Sequence, residues 1–207
     1  MYLTDSRVVP VVVINHADRA AAIGEALVAG GIPVAEVTFR TAAASQAIRR
    51  MSANPDLLVG AGTVLSADQV DQAFDAGARF IVSPGLSMDV VRRAQQLELP
   101  VFPGAVTPTE MMAALDLGLT ILKFFPAGTY GGPAALKALA GPFPQLRFIP
   151  TGGVSARNLG DYLALPNVVA VGGSWMVSTG AIDAGDTATI SRLCAEAVAA
   201  ASGNGVR

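Results

Sequence analysis

Short apolar runs rich in Val, Ile and Phe return along this chain at intervals of roughly 20 to 25 residues, each followed by a stretch with Ala, Leu and Ile at helical spacing. Eight such runs can be read: Val8 to Ile14, Ala35 to Phe39, Leu57 to Val64, Arg79 to Pro84, Pro100 to Ala105, Thr120 to Phe125, Arg147 to Gly152 and Val168 to Gly173. Between them lie helical segments such as "ADRAAAIGEALVAGG", "TAAASQAIRRM", "SADQVDQAFDAG" and "SMDVVRRAQQLEL". Several open on a Ser, Thr or Asp cap and two close on Gly. The repeating unit is one strand and one helix.

The runs are apolar nearly throughout instead of at alternate positions, the pattern of a parallel sheet buried on both faces. Eight units predict an α/β fold, a single-domain (β/α)8 TIM barrel over residues 1–207, with short loops because the chain is near the lower end of that fold's size range. An open doubly wound sheet competes, but no strand leads through G-x-G-x-x-G into a helix. With 52% hydrophobic and 14% charged residues, the chain can bury one sizeable core.

Composition also excludes. The net charge of −2, with basic pairs only at Arg49-Arg50 and Arg92-Arg93, makes a poor footprint for a polyanion, so no nucleic-acid partner is expected. No apolar run approaches the ~18 residues of a membrane span. The N-terminal "MYLTDSRVVPVVVI" lacks the basic region and cleavage site of a leader, which predicts a cytoplasmic protein with no membrane partner. One cysteine, Cys194, forms no internal disulfide and reads as helix packing. One histidine, His16, leaves no Ser-His dyad or multi-histidine site and reads as a loop or helix-start residue. No carboxylate cluster has metal spacing, so neither a metal nor another cofactor is expected.

Barrel active sites lie at the C-terminal ends of the strands, so the residues ending each run are the candidates. They include Glu36, Thr38 and Arg40 from the second run, Gly62 and Thr63 from the third, Ser83 and Pro84 from the fourth, and Lys123 and Phe125 from the sixth. Thr151-Gly152-Gly153 and Gly172-Gly173-Ser174 end the last two. Lys123, inside "LTILKFFPAG", is a charge in an apolar strand; it is either paired with a carboxylate or held for its chemistry. Burial disfavours the charged form of an amine, and the neutral form is what a Schiff-base nucleophile needs. Lys137, the only other lysine, lies at helical spacing and reads as a solvated helix residue. Glu36 reads either as an ion-pair partner of Arg40 or Lys123 or as a general acid/base. Arg40 offers a fork for a carboxylate. The two Gly-rich ends fit a phosphate held by backbone N–H groups.

These features together resemble the 2-keto-3-deoxy-6-phosphogluconate (KDPG) aldolase / 4-hydroxy-2-oxoglutarate aldolase family, also called Entner–Doudoroff aldolases. The motifs that carry the resemblance are "EVTFRT", "VGAGTV", "SPG", "LKFFPA", "GPFPQLRFIPTGGV" and "GGSW", in order over almost the whole chain. The resemblance implies a metal-independent class I aldolase cleaving a phosphorylated keto acid to pyruvate and glyceraldehyde 3-phosphate. It implies Lys123 as Schiff-base lysine and Glu36 as proton-transfer group, with Arg40 and Thr63 on the pyruvate carboxylate. Pro84 and Phe125 would wall the imine, Thr151 would face substrate hydroxyls, and Gly152, Gly153, Gly173 and Ser174 would hold phosphate. It further implies a homotrimer, and activity in many members on 4-hydroxy-2-oxoglutarate.

A threonine before the "GG" resembles the gluconate type more than its galactonate-specific relatives. Two rival readings stay open: a phosphosugar isomerase or epimerase with Glu36 as base, and a non-catalytic sugar-phosphate sensor.

Overall fold

The structure is a computed structural model and describes residues 6–203; the outermost residues of the expected 1–207 domain lie outside the described residues. Its strands are β1 (Val8–Val12), β2 (Val34–Thr38), β3 (Leu58–Gly62), β4 (Ile81–Ser83), β5 (Val101–Pro103), β6 (Ile121–Phe124), β7 (Arg147–Pro150) and β8 (Val171–Gly173). Each lies within, or one residue outside, the run that announced it. The trimmed ends include apolar residues, such as Val13 and Ile14 after β1 and Val168 and Val169 before β8.

Hydrogen bonding orders six strands as β5-β4-β3-β2-β1-β8 and pairs β6 with β7, all parallel. Parallel bridges from Gly104 to Lys123, Phe148 to Val168 and Thr151 to Gly172 join the two sets and close the ring. The fold is a (β/α)8 barrel, as the strand count implied. A closed ring leaves no strand edge to pair with another chain. In register, Glu36 of β2 stands opposite Gly60, and Thr38 opposite Gly62.

The helices are α1 (Ala20–Ala29), α2 (Ala44–Met51), α3 (Ala67–Asp75), α4 (Met88–Gln96), α5 (Pro108–Asp116), α6 (Gly132–Leu139), α7 (Leu159–Leu163), α8 (Thr179–Ala184) and α9 (Thr187–Ser202). A 3-10 turn, Ala17–Arg19, leads into α1, and His16 sits just before it as expected. Ser66 and Ser87 cap α3 and α4. Thr107 and Glu110 form a reciprocal capping box on α5, with Pro108 in its first turn.

The eight-unit pattern did not announce that β8 is followed by two helices. The second, α9, packs on α1: the Ser191 hydroxyl donates to the Ala26 carbonyl at 2.8 Å. Cys194 is buried in α9, and burial pushes its thiol up to about 12, which suits packing and not reactivity. Phe80 and Phe102 help fill the barrel interior and meet edge to face, and Phe124 and Phe148 meet the same way on the outer face of β6 and β7, both pairs with centroids 6.1 Å apart. Among the described residues no helix is long and apolar enough to cross a membrane.

Candidate active site

Two large clefts flank the barrel. One, of about 1030 Å³, opens where the strands begin and is bordered by Pro33, Asn54, Asp56, Arg79, Glu98 and Pro100. Asp56, Arg79, Glu98 and Pro100 are exposed and Pro33 and Asn54 half-buried, so no polar side chain lining it is held out of water. The other, of about 570 Å³, lies where the strands end. Although smaller, it has the chemistry.

Its wall includes Arg40, Phe125, Thr151, Gly152, Gly153, Gly173 and Ser174, seven of the residues singled out from sequence. Beneath it a cavity of about 10 Å³, bounded by Glu36, Lys123 and Thr151 among others, sits inside the barrel. That is about the space of one water molecule. Thr151 borders both spaces, linking the open cleft to the buried pair.

Strand β6 carries Lys123 inward because its neighbours Leu122 and Phe124 pack outward against the helices, and side chains alternate along a strand. Lys123 Nζ lies 3.0 Å from Glu36 Oε1, and both side chains are only 4% exposed. Of the two partners open to Glu36 from sequence, the structure selects Lys123 and not Arg40. The amine also lies 5.2 Å from the centre of the Phe125 ring, within cation–π range. Removing one member of such a pair strands the other charge, at a cost of about 3–5 kcal/mol. Thr38, two residues along β2, donates instead to the Val12 carbonyl at 3.0 Å.

Arg40 follows β2 and is exposed at the rim. Its Nε donates to the Thr63 hydroxyl at 3.1 Å. Thr63 holds φ at 55°, a left-handed conformation that is rare for a β-branched residue and costs about 1–3 kcal/mol. The pair forms a fixed polar corner with most of the guanidinium still facing outward. Thr63 and Pro84 do not border the cleft itself; they directly follow β3 and β4. Ser83 turns its hydroxyl to the Gly85 carbonyl at 2.8 Å and so anchors that loop.

At the opposite end of the cleft, Gly152 and Gly153 take φ of 85° and 82°. The carbonyls of Thr151, Gly152 and Gly153 accept from Ala127 N–H, Gly128 N–H and the Asn158 amide at 2.8, 2.9 and 2.9 Å. Among the described residues no such bond uses the N–H of Gly152 or Gly153. Donors without acceptors beside a cleft suit an anion. Of the other wall residues, which sequence reasoning missed, three carry polar groups, Trp175, Ser178 and Thr179. Trp175 stood in the quoted "GGSW", whereas Ser178 carried only a helix-cap signal, and it does cap α8. Among the described residues no three His, Cys, Asp or Glu side chains gather as a metal site.

Three comparisons bear on this arrangement. The family model for KDPG and KHG aldolases matches residues 1–193. The KHG/KDPG aldolase of Escherichia coli (strain K12) is 48% identical over 197 residues, 95% of this chain and 92% of that one. The 2-keto-3-deoxy-6-phosphogluconate aldolase of Zymomonas mobilis ZM4, solved with 3-phosphoglycerate, superposes with a TM-score of 0.91 at 45% identity, covering 96% and 93% of the two chains. KDPG aldolase from Legionella pneumophila, solved with pyruvate captured as a covalent carbinolamine, gives 0.90 at 44% identity, covering 94% and 95%.

Proposed function

Because the chain belongs to the KDPG and KHG aldolase family, we propose that it is a Schiff-base aldolase cleaving 2-dehydro-3-deoxy-6-phosphogluconate to pyruvate and D-glyceraldehyde 3-phosphate. The observation that carries the reading is the buried pair of Lys123 Nζ and Glu36 Oε1 at 3.0 Å, under a cleft with a guanidinium at one end and a glycine turn at the other.

In this mechanism Glu36 takes a proton from the Lys123 ammonium, and the freed amine attacks the C2 carbonyl to give a carbinolamine. The proton now on Glu36 passes to the carbinolamine hydroxyl, which leaves as water and yields the iminium ion. Glu36, again a carboxylate, takes the proton of the C4 hydroxyl, directly or through one water in the cavity beside it. The C3–C4 bond breaks, its electron pair flows into the iminium, and the aldehyde leaves. Protonation of the resulting enamine at C3 and hydrolysis of the imine release pyruvate and restore the pair.

Arg40 and Thr63 hold the C1 carboxylate, Pro84 and Phe125 wall the imine, and Thr151 meets the substrate hydroxyls. Gly152, Gly153, Gly173 and Ser174 receive the phosphate. Two fixed ends keep the scissile bond over the imine, where orientation contributes much of the rate. The gluconate epimer is assigned from Thr151, the galactonate epimer being the alternative. An anion site built on backbone donors also admits the distal carboxylate of 4-hydroxy-2-oxoglutarate. We propose further that the chain acts as one domain in the cytoplasm, in keeping with its single cysteine. It would assemble as a homotrimer, for which the exposed Leu65, Met88 and Met112 on successive βα units supply apolar surface.

Borohydride reduction in the presence of saturating pyruvate, followed by peptide mass spectrometry, tests the chemistry. A reduced pyruvate adduct on Lys123 is expected. Its absence from native protein would favour the isomerase or sensor readings. Sedimentation equilibrium at three chain masses tests the assembly.

A further inference from the structure

Four glycines inside the barrel strands, Gly60, Gly62, Gly172 and Gly173, have no left-handed φ, so their backbones suit any residue. What they share is lack of room. A Cβ on Gly62 would come within 2.8 Å of Glu36 Cδ and closer still to Oε1. One on Gly172 would come within 3.1 Å of Thr151 Cγ2 and closer still to Oγ1. Gly60 and Gly173 are covered in the same way by the rings of Phe80 and Trp175.

In the first two cases the group lying on the glycine is polar and belongs to the site. The Glu36 carboxylate rests on Gly62 while reaching Lys123. The Thr151 hydroxyl rests on Gly172 while donating to the Ile149 carbonyl at 3.4 Å. In each case the atom nearest the added carbon is the side chain's oxygen, with Glu36 Cδ or Thr151 Cγ2 and Cβ close behind. A methyl group on the glycine would force the side chain into another rotamer and move its polar end.

We propose that Gly62 and Gly172 are positioning residues, whose bare faces seat the Glu36 carboxylate against Lys123 and fix the direction of the Thr151 hydroxyl. The inference deepens the aldolase reading and rests on it. Gly62 then governs proton transfer, and Gly172 governs how the hydroxyl at C4 is read. Neither role involves a phosphate.

The test uses full-length Gly62→Ala and Gly172→Ala. Gly62→Ala lowers kcat for cleavage by about tenfold or more, with KM changed by less than about threefold. Because both changes disable one group, Glu36→Gln in the Gly62→Ala background lowers kcat little further. Gly172→Ala shifts the ratio of kcat/KM for the two C4 epimers by about threefold or more. It slows deuterium exchange into pyruvate, which has no C4 hydroxyl, less than it slows cleavage.

Losses from Gly62→Ala and Glu36→Gln that multiply, or an epimer ratio unmoved by Gly172→Ala, overturn the inference. Should Gly62→Ala melt too early to assay, melting curves with Glu36→Ala decide. Clearing the carboxylate relieves the clash, so the two changes together cost less stability than their sum, and a simple sum again overturns the proposal. Failure of the aldolase reading itself is recognised separately, since the parent protein would then trap no pyruvate.

Discussion

Where the helices stop and the strands begin, Gly31, Gly77 and Gly118 take φ of 81°, 95° and 76°. Each closes a helix with the paired bonds of a Schellman motif: Gly31 to Val28 with Ile32 to Leu27, Gly77 to Phe74 with Ala78 to Ala73, and Gly118 to Leu115 with Leu119 to Ala114. At the other end of the barrel, Gly62 and Gly172 have unremarkable φ but no space for a methyl group. Gly31, Gly77 and Gly118 therefore answer a conformational need, as Gly152 and Gly153 do in the cleft, whereas Gly62 and Gly172 answer a steric one. Changes at the helix-end glycines should be read in melting temperature. Changes where the strands end should be read in turnover.

The largest contrast is between the two lysines. Lys123→Ala is expected to abolish cleavage, by about 10⁴-fold or more, because no other group forms the imine. Lys137→Ala, on the exposed face of α6, should leave kcat/KM within about twofold of the parent. Equal losses in the two variants, with both still folded by circular dichroism, would remove the distinction between the ends.

Glu36→Gln comes next. It keeps a polar partner for Lys123 but cannot accept the proton, so kcat should fall by about 10²–10⁴-fold. Borohydride trapping of pyruvate should become slow but still occur at Lys123. A Glu36→Gln enzyme with parental kcat would sink the proton-transfer role and leave Glu36 as a counter-ion only.

How far the sequence revealed these roles differs by region. The strands were legible because a parallel barrel strand is apolar on both faces and stands out as a run, and β2 and β6 were legible twice over because each held one charge. That Glu36 meets Lys123 was visible only as one of two options: the residues are 87 apart and the contact depends on barrel closure. Helix ends were partly legible, since "AGG" and "DAG" announce a left-handed cap. The seats were hidden. Glycine within a strand signals a close approach, but nothing local names what approaches, and Phe80, Thr151 and Trp175 come from neighbouring strands or from beyond a turn. Likewise α9 was hidden by a reading that expected one helix per strand.

A smaller effect tests the polar side of helix capping. Burial pushes the Glu110 carboxyl up, but the bonds it accepts from Val106 N–H, Thr107 N–H and the Thr107 hydroxyl hold it below its ordinary 4.5. A carboxyl lowered on folding stabilises the native state above its unfolded value, and that contribution is lost as pH falls through the folded value. Glu110→Gln should therefore cost about 0.5–1 kcal/mol at neutral pH, at the low end for a cap because the group is largely solvated. In urea melts the gap to the parent should close in acid. A gap that widens as pH falls would contradict the assignment.

The smallest expected effect bears most directly on the helix-end glycines. Helix α4 ends with the same paired bonds, Glu98 N–H to the Gln95 carbonyl at 3.0 Å and Leu99 N–H to the Ala94 carbonyl at 2.9 Å. Here the left-handed position is held by Glu98, with φ of 56°. A side chain is tolerated there because the need is conformational and the residue is exposed, at a cost of about 1–2 kcal/mol relative to glycine. Glu98→Gly removes that strain but gives the unfolded chain more freedom, so the net gain is about 0.5–1 kcal/mol. For a chain of this size that raises the melting temperature by about 1–4 °C. Turnover should not change, since Glu98 borders the opposite cleft from Lys123. A lower melting temperature would mean that the Glu98 side chain contributes more than its backbone costs, and a change in kcat would mean that the two ends are coupled through the barrel wall.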